Sequence, residues 1–109
     1  MSKEWTAICR LDDIAPNTGI CALVNGQQVA VFREAITNHL YAIGNFDPIG
    51  KANVMSRGLM AQLGEKVTVA SPLYKQHYCL KEGTCLENAD AKVPVYGVRL
   101  KENVVEVAV

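Results

Sequence analysis

Histidine is scarce in this 109-residue chain, which holds only His39 and His77. A Ser-His-Asp or Cys-His catalytic arrangement would have to use one of those two. His39 follows Thr37-Asn38 in a stretch that reads as a turn, where a solvated polar residue is the ordinary explanation. His77 opens a strand two residues before Cys79 and reads as an exposed strand residue, able to hydrogen-bond. The four cysteines, at positions 9, 21, 79 and 85, form no CxxC or CxH pair, so a sequence-local zinc site is not expected. There is no GxGxxG, no Walker loop and no HExxH. Apolar runs are short, four or five residues as from Val29 to Phe32, whereas a membrane-spanning helix needs about twenty. The start, Met1-Ser2-Lys3-Glu4-Trp5, lacks the apolar core of a secretory signal. Net charge is also missing: 11 Lys and Arg balance 11 Asp and Glu, leaving no long-range field for nucleic acid or anionic lipid. These absences predict a cytoplasmic chain with no nucleic-acid or membrane partner, whose cysteines rest as thiols.

What is present is globular composition, 50% apolar and 20% charged, in a single domain over residues 1–109. A chain of this size buries roughly two-thirds of its unfolded surface, enough to fold without a stapling disulfide or metal. No repeat, linker or charge block divides it. Short runs rich in Val, Ile and Thr alternate with turn residues, the pattern of an all-β sandwich or barrel. Residues 5–11 predict a first strand, ended by Asp12-Asp13 and Pro16-Asn17-Thr18-Gly19, and residues 20–24 a second. Asn25-Gly26 tolerates positive φ at both central positions of a type I′ turn, so residues 28–33 should fold back as a hairpin, with residues 40–44 beside them. Residues 45–58 are less regular. A further hairpin joins 59–63 to 66–70 across Gly64-Glu65, and another joins 77–80 to 84–86 around Lys81-Glu82-Gly83. Strands at 93–100 and 104–109 close the chain around Lys101-Glu102-Asn103. Residues 53–62 have room for one helical turn, so the expectation is about ten short strands with little helix.

Cys79 and Cys85 flank a short turn and could face each other across it at disulfide distance. A redox switch would also need a lowered thiol pKa, and sequence spacing places none of Lys75, His77 or Lys81 beside either sulfur. Buried thiols acting as small hydrophobes are the ordinary reading, with a Cys79/Cys85 thiol switch as the alternative. Two other segments resemble each other: Asn45-Phe46-Asp47-Pro48-Ile49 and Ser71-Pro72-Leu73-Tyr74 are both proline loops after a strand. With them the chain resembles the Rieske iron–sulfur family, which holds a two-iron cluster between a Cys-x-His loop and a Cys-x-x-His loop. Tyr78, Leu80 and Gly83 continue the register, and the overlap spans roughly residues 5–107. The resemblance implies a Rieske-like fold with loop equivalents at 45–50 and 70–76. The family's ligand positions fall on Asp47, Ile49, Ser71 and Tyr74, which supply neither thiolate nor imidazole, so the resemblance implies no cluster and no metal in this chain.

Within that fold, Trp5-Thr6-Ala7-Ile8-Cys9, Gly19-Ile20-Cys21-Ala22-Leu23, Asn45-Phe46-Asp47-Pro48, Ser56-Arg57-Gly58-Leu59 and residues 69–76 are similar to the small subunits of bacterial NADH-dependent nitrite reductase. The resemblance implies a non-catalytic small subunit of an NAD(P)H-dependent oxidoreductase that reduces nitrite to ammonium in nitrate and nitrite assimilation. It implies no cofactor in this chain. FAD, siroheme and an iron–sulfur cluster would sit on the large subunit, the expected partner, with NAD(P)H as electron donor. In cluster-bearing relatives the two loops form an exposed tip that meets redox partners. The analogous docking residues are Asp47, Pro48, Ile49, Pro72, Leu73 and Tyr74, with Arg57, Lys75 and Gln76 at the rim. Two alternatives remain: Ile49 and Tyr74 pack into the space that a cluster would fill, or the chain is a generic β adaptor of another redox complex.

Overall fold

A computed structural model describes residues 4–109. Its strands are β1 (Thr6–Arg10), β2 (Thr18–Val24), β3 (Gln27–Arg33), β4 (Leu40–Gly44), β5 (Phe46–Asp47), β6 (Ala52–Asn53), β7 (Leu59–Leu63), β8 (Lys66–Ala70), β9 (His77–Cys79), β10 (Val95–Lys101) and β11 (Val104–Ala108). Two 3₁₀ turns, Leu11–Asp13 and Met55–Arg57, are the only helix among the described residues. Six strands form one sheet in the order β1-β11-β10-β4-β3-β2, β7-β8-β9 form a second, and β5-β6 a small ribbon.

Turn chemistry explains the pairings. Asn25 and Gly26 both have positive φ, 50° and 78°, and the hairpin they close runs from Val24↔Gln27 to Thr18↔Arg33. Glu102 and Asn103, at φ 51° and 69°, make the same two-residue connection between β10 and β11. Between β7 and β8 only Gly64 is positive, the type II′ pattern.

The run Val29-Ala30-Val31-Phe32 is apolar throughout because β3 is covered on both faces. Val29 and Val31 join Ile14, Val24, Ala42, Val105 and Val107 in one core, inside the curled six-stranded sheet. Ala30 and Phe32 point the other way and join Ile43, Met55, Val69, Tyr78 and Leu80, where the three-stranded sheet packs on the large one. This second core sets the position of both proline loops, since Met55 lies between them in sequence and β8 and β9 flank the second.

Several boundaries differ from expectation. The first strand stops at Arg10, where the chain enters its 3₁₀ turn. Residues 84–86 make isolated bridges, Tyr78↔Cys85 and Thr84↔Lys92, rather than a strand. The last hairpin starts at Val95 rather than residue 93, because Val93 donates its amide to Gly83 and Pro94 has none to give to a ladder.

Candidate functional site

The two proline loops are the same local structure built twice. In residues 47–51 the Lys51 amide donates to the Asp47 carbonyl at 2.7 Å, and in residues 71–75 the Lys75 amide donates to the Ser71 carbonyl at 2.9 Å. Each is a single i→i+4 turn that ends on a lysine in the left-handed region, at φ 61° and 60°. Proline at the second position fixes φ at the start of each turn. The side chain at the first position caps the turn from inside. Asp47 Oδ1 accepts from the amides of Ile49 (2.8 Å) and Gly50 (3.0 Å), and Ser71 Oγ accepts from the amide of Leu73 (3.3 Å).

The two caps also meet each other. The Ser71 hydroxyl donates to Asp47 Oδ2, and the Tyr78 hydroxyl donates to Asp47 Oδ1 at 3.3 Å. Asp47, Ser71 and Tyr78 are all buried, at 0%, 1% and 0% exposure. Burial by itself would raise the Asp47 carboxyl. Hydrogen bonds from Ser71, the Gly50 and Ile49 amides and Tyr78 outweigh it and hold the group below its ordinary range. Tyr78 moves well above the usual phenol range, through burial first and then the neighbouring Asp47 charge. The loops are in close contact at Gly50, where an added Cβ would strike Leu73 Cδ1 and lie 2.8 Å from Asp47 Oδ2.

The tip therefore divides into an inside and an outside. Of the expected docking residues, Asp47 faces inward as the clamp between loops and presents no surface. Ile49 is half-buried and packs against the second core, and Pro48 and Gln76 are half-buried as well. Buried, too, is Gln76 Oε1, which has no hydrogen-bond partner among the described residues. Pro72, Leu73, Tyr74, Lys75 and Arg57 are exposed, Tyr74 at 64%. The alternative in which Ile49 and Tyr74 both pack inward holds for Ile49 alone. Sequence reading missed Phe46 and Leu59, apolar side chains exposed at 46% and 78%, and the exposed Lys51. Strand alternation could have flagged Phe46, since Asn45 and Asp47 on either side of it are buried. Beside the second loop lies a groove of about 390 Å³ lined by Arg57, Leu59, Ala70, Ser71, Pro72, Lys75 and His77.

The cysteine pair follows its ordinary reading as buried thiols, and the facing arrangement that a switch needs is not formed. The bridge Tyr78↔Cys85 puts Cys85 on the Tyr78 side of the hairpin, in the second core, and strand alternation turns Cys79 to the opposite side. The two thiols are buried and free, and they do not face each other. Cys9 and Cys21 are pushed up in pKa by burial, with the Asp13 charge adding to Cys9, the reverse of an activated thiol. His77 Nδ1 lies 2.7 Å from Glu87, and the exposed His39 lies 3.2 Å from the Thr37 hydroxyl. Among the described residues, no three His, Cys, Asp or Glu side chains are grouped as a metal site requires, and no helix is long and apolar enough to cross a membrane.

A nearly closed six-stranded sheet packed on a three-stranded one, with two like turn loops clamped together, defines a class, and residues 4–108 match the family model of the Rieske-like [2Fe-2S] domain. The nitrite reductase (NADH) small subunit of Salmonella typhimurium is 45% identical over 104 residues, which cover 95% of this chain and 96% of that one. The NMR structure of the Escherichia coli protein NirD matches with a TM-score of 0.91 at 42% identity, over 99% of this chain and 98% of that one. This chain belongs to the nitrite reductase (NADH) small-subunit family, a branch of the Rieske-like domains. A third relative has a different layout: the nitrite reductase NAD(P)H large subunit of Klebsiella oxytoca is 38% identical over 100 residues, 92% of this chain but 10% of that protein.

Proposed function

We propose that this chain is a non-catalytic small subunit of an NAD(P)H-dependent nitrite reductase, and that it works by docking its two-loop tip on the large subunit. The observation that carries the association is the Klebsiella oxytoca relative, in which a domain like this one is part of a protein named as a large subunit. Two polypeptides whose equivalents occur in one chain are held together there by covalent linkage, and as separate chains they need an interface instead. The exposed apolar side chains Leu73 and Tyr74, carried on hydrogen-bonded turns, are suited to that contact, because little conformational freedom remains to be lost on binding.

The residues at the family's ligand positions do not fit a two-iron cluster. A Rieske centre needs two thiolates and two imidazoles. Here Asp47 and Ser71 are hydrogen-bonded to each other, Ile49 carries no donor atom and packs on the core, and Tyr74 projects into solvent. In this reading the Asp47–Ser71 clamp does for the loops what a shared metal centre would do, and no electron passes through the chain. FAD, siroheme, an iron–sulfur cluster and the NAD(P)H site then lie on the large subunit, which carries out reduction of nitrite to ammonium for cytoplasmic nitrate and nitrite assimilation.

The test uses the separate subunits and a Leu73→Ala/Tyr74→Ala variant, with Tyr74→Ala alone beside it because Leu73 also packs on Gly50 of the first loop, and each variant's fold is checked by thermal unfolding. The expected result is at least a tenfold loss of affinity for the large subunit, since an aromatic anchor contributes about 2 kcal/mol or more at an interface centre. Undiminished binding by the folded variant would refute docking through the tip.

A further inference from the structure

We infer that the groove beside the second loop receives a carboxylate-bearing apolar segment of the large subunit, an assignment that rests on the docking reading above. Three features of the tip converge on that chemistry. The first is charge segregation. The chain as a whole is neutral, yet the tip segments, residues 45–59 and 70–77, hold Lys51, Arg57 and Lys75 against one carboxylate, Asp47. Asp47 is buried and engaged by both loops, so these segments offer no carboxylate of their own to the surface, and Glu87, which reaches the groove wall, is engaged by the His77 amide and ring, each at 2.7 Å.

The second feature is that the two groove cations are free. The Lys and Arg ion pairs among the described residues are Lys66–Glu82 and Arg99–Glu106, and Glu87 is hydrogen-bonded to His77. Arg57 and Lys75 are in none of them, although each lines the groove and is exposed. An arginine offers a planar fork that matches a carboxylate in two parallel hydrogen bonds, and a lysine beside it adds a compact second charge.

The third feature separates a protein segment from a simple anion. The groove wall includes Leu59, 78% exposed at the start of edge strand β7, together with Pro72 and Ala70. A small inorganic anion gains nothing from that apolar wall. A glutamate or aspartate flanked by an aliphatic or aromatic residue would use both halves of the groove, whose volume of about 390 Å³ holds a few side chains. Charge at this position steers the encounter and sets the register, while Leu73 and Tyr74 beside it supply apolar anchorage.

The experiment measures binding of the full-length chain to the purified large subunit at low and at high salt. Four variants are compared: Arg57→Glu/Lys75→Glu, Arg57→Gln/Lys75→Gln, Leu59→Ala and Leu73→Ala/Tyr74→Ala. The expected result is that charge reversal slows association about tenfold or more at low salt and abolishes the salt dependence seen with the unmodified chain. Neutralisation should give an intermediate loss. Leu59→Ala should weaken binding while leaving the salt slope unchanged. If the charge-reversed chain binds as the unmodified one does while Leu73→Ala/Tyr74→Ala fails to bind, the groove assignment is overturned and tip docking stands. If all four variants bind normally, docking through the tip falls as well, and the groove assignment with it.

Discussion

Replacing Asp47 with alanine removes the one group that touches both loops and the floor beneath them. The carboxylate accepts from Ser71 Oγ, from the amides of Ile49 and Gly50 at 2.8 and 3.0 Å, and from Tyr78 Oη at 3.3 Å, with no exposure to solvent. A hydrogen bond to a buried charge contributes about 1.5–3 kcal/mol, and the donors left behind pay a desolvation penalty of similar size. The four bonds share one acceptor and are not additive, and the loop amides can recover some water. The expected cost is therefore about 3–5 kcal/mol, a large part of the roughly 5–15 kcal/mol that holds a domain of this size together. By thermal unfolding this is a drop of roughly 15–30 °C. Asp47→Asn keeps an acceptor for the amides and should lose only about 1–2 kcal/mol. The pH dependence has a definite sign. Since the folded carboxyl lies below its unfolded value, its stabilisation is fully present above about pH 4 and disappears as pH falls through the folded pKa. The gap between the native chain and Asp47→Asn should thus be constant near neutrality and close in acid. A denaturant midpoint for Asp47→Ala that stays within about 0.5 kcal/mol of the native chain would sink the clamp.

Two further outcomes follow from the same geometry. Tyr78→Phe removes a donor to Asp47 from a fully buried ring without changing its shape, and because that bond is long, at 3.3 Å, urea unfolding should show a loss at the low end for a bond to a charge, about 1.5 kcal/mol. Mild oxidation of the folded chain should leave peptides containing Cys79 and Cys85 at their full thiol mass, because their side chains point to opposite sides of the hairpin. Loss of two hydrogens localised to that pair would show that the register Tyr78↔Cys85 is wrong.

The sequence alone was enough for most features that depend on neighbours along the chain. Asn25-Gly26 announces its turn because few residue pairs accept two positive φ values, and Gly64 announces the turn between β7 and β8 with a single one. Asp47-Pro48 and Ser71-Pro72 announce two like loops, because a short polar side chain before proline caps the turn that follows. The all-β class and the family resemblance rest on those signals repeated along the chain. Two of the boundaries that moved did so for non-local reasons: Val93 is drawn to the Gly83 carbonyl, and residues 84–86 have bridges rather than a strand partner along their length.

What the tertiary structure decided is which side chains meet. Asp47 and Ser71 are 24 positions apart, and nothing in either loop says that one cap will bond the other. That contact exists because Met55, Val69 and Tyr78 pack with Phe32 and Ile43, bringing the second sheet and its loop up to the first. The same packing turns Asp47 and Ile49 inward while Leu59, Leu73 and Tyr74 stay in solvent. Turn type is set by the torsional limits of a few adjacent residues, whereas facing and exposure are set by how two sheets share one core, a choice made by the whole chain at once.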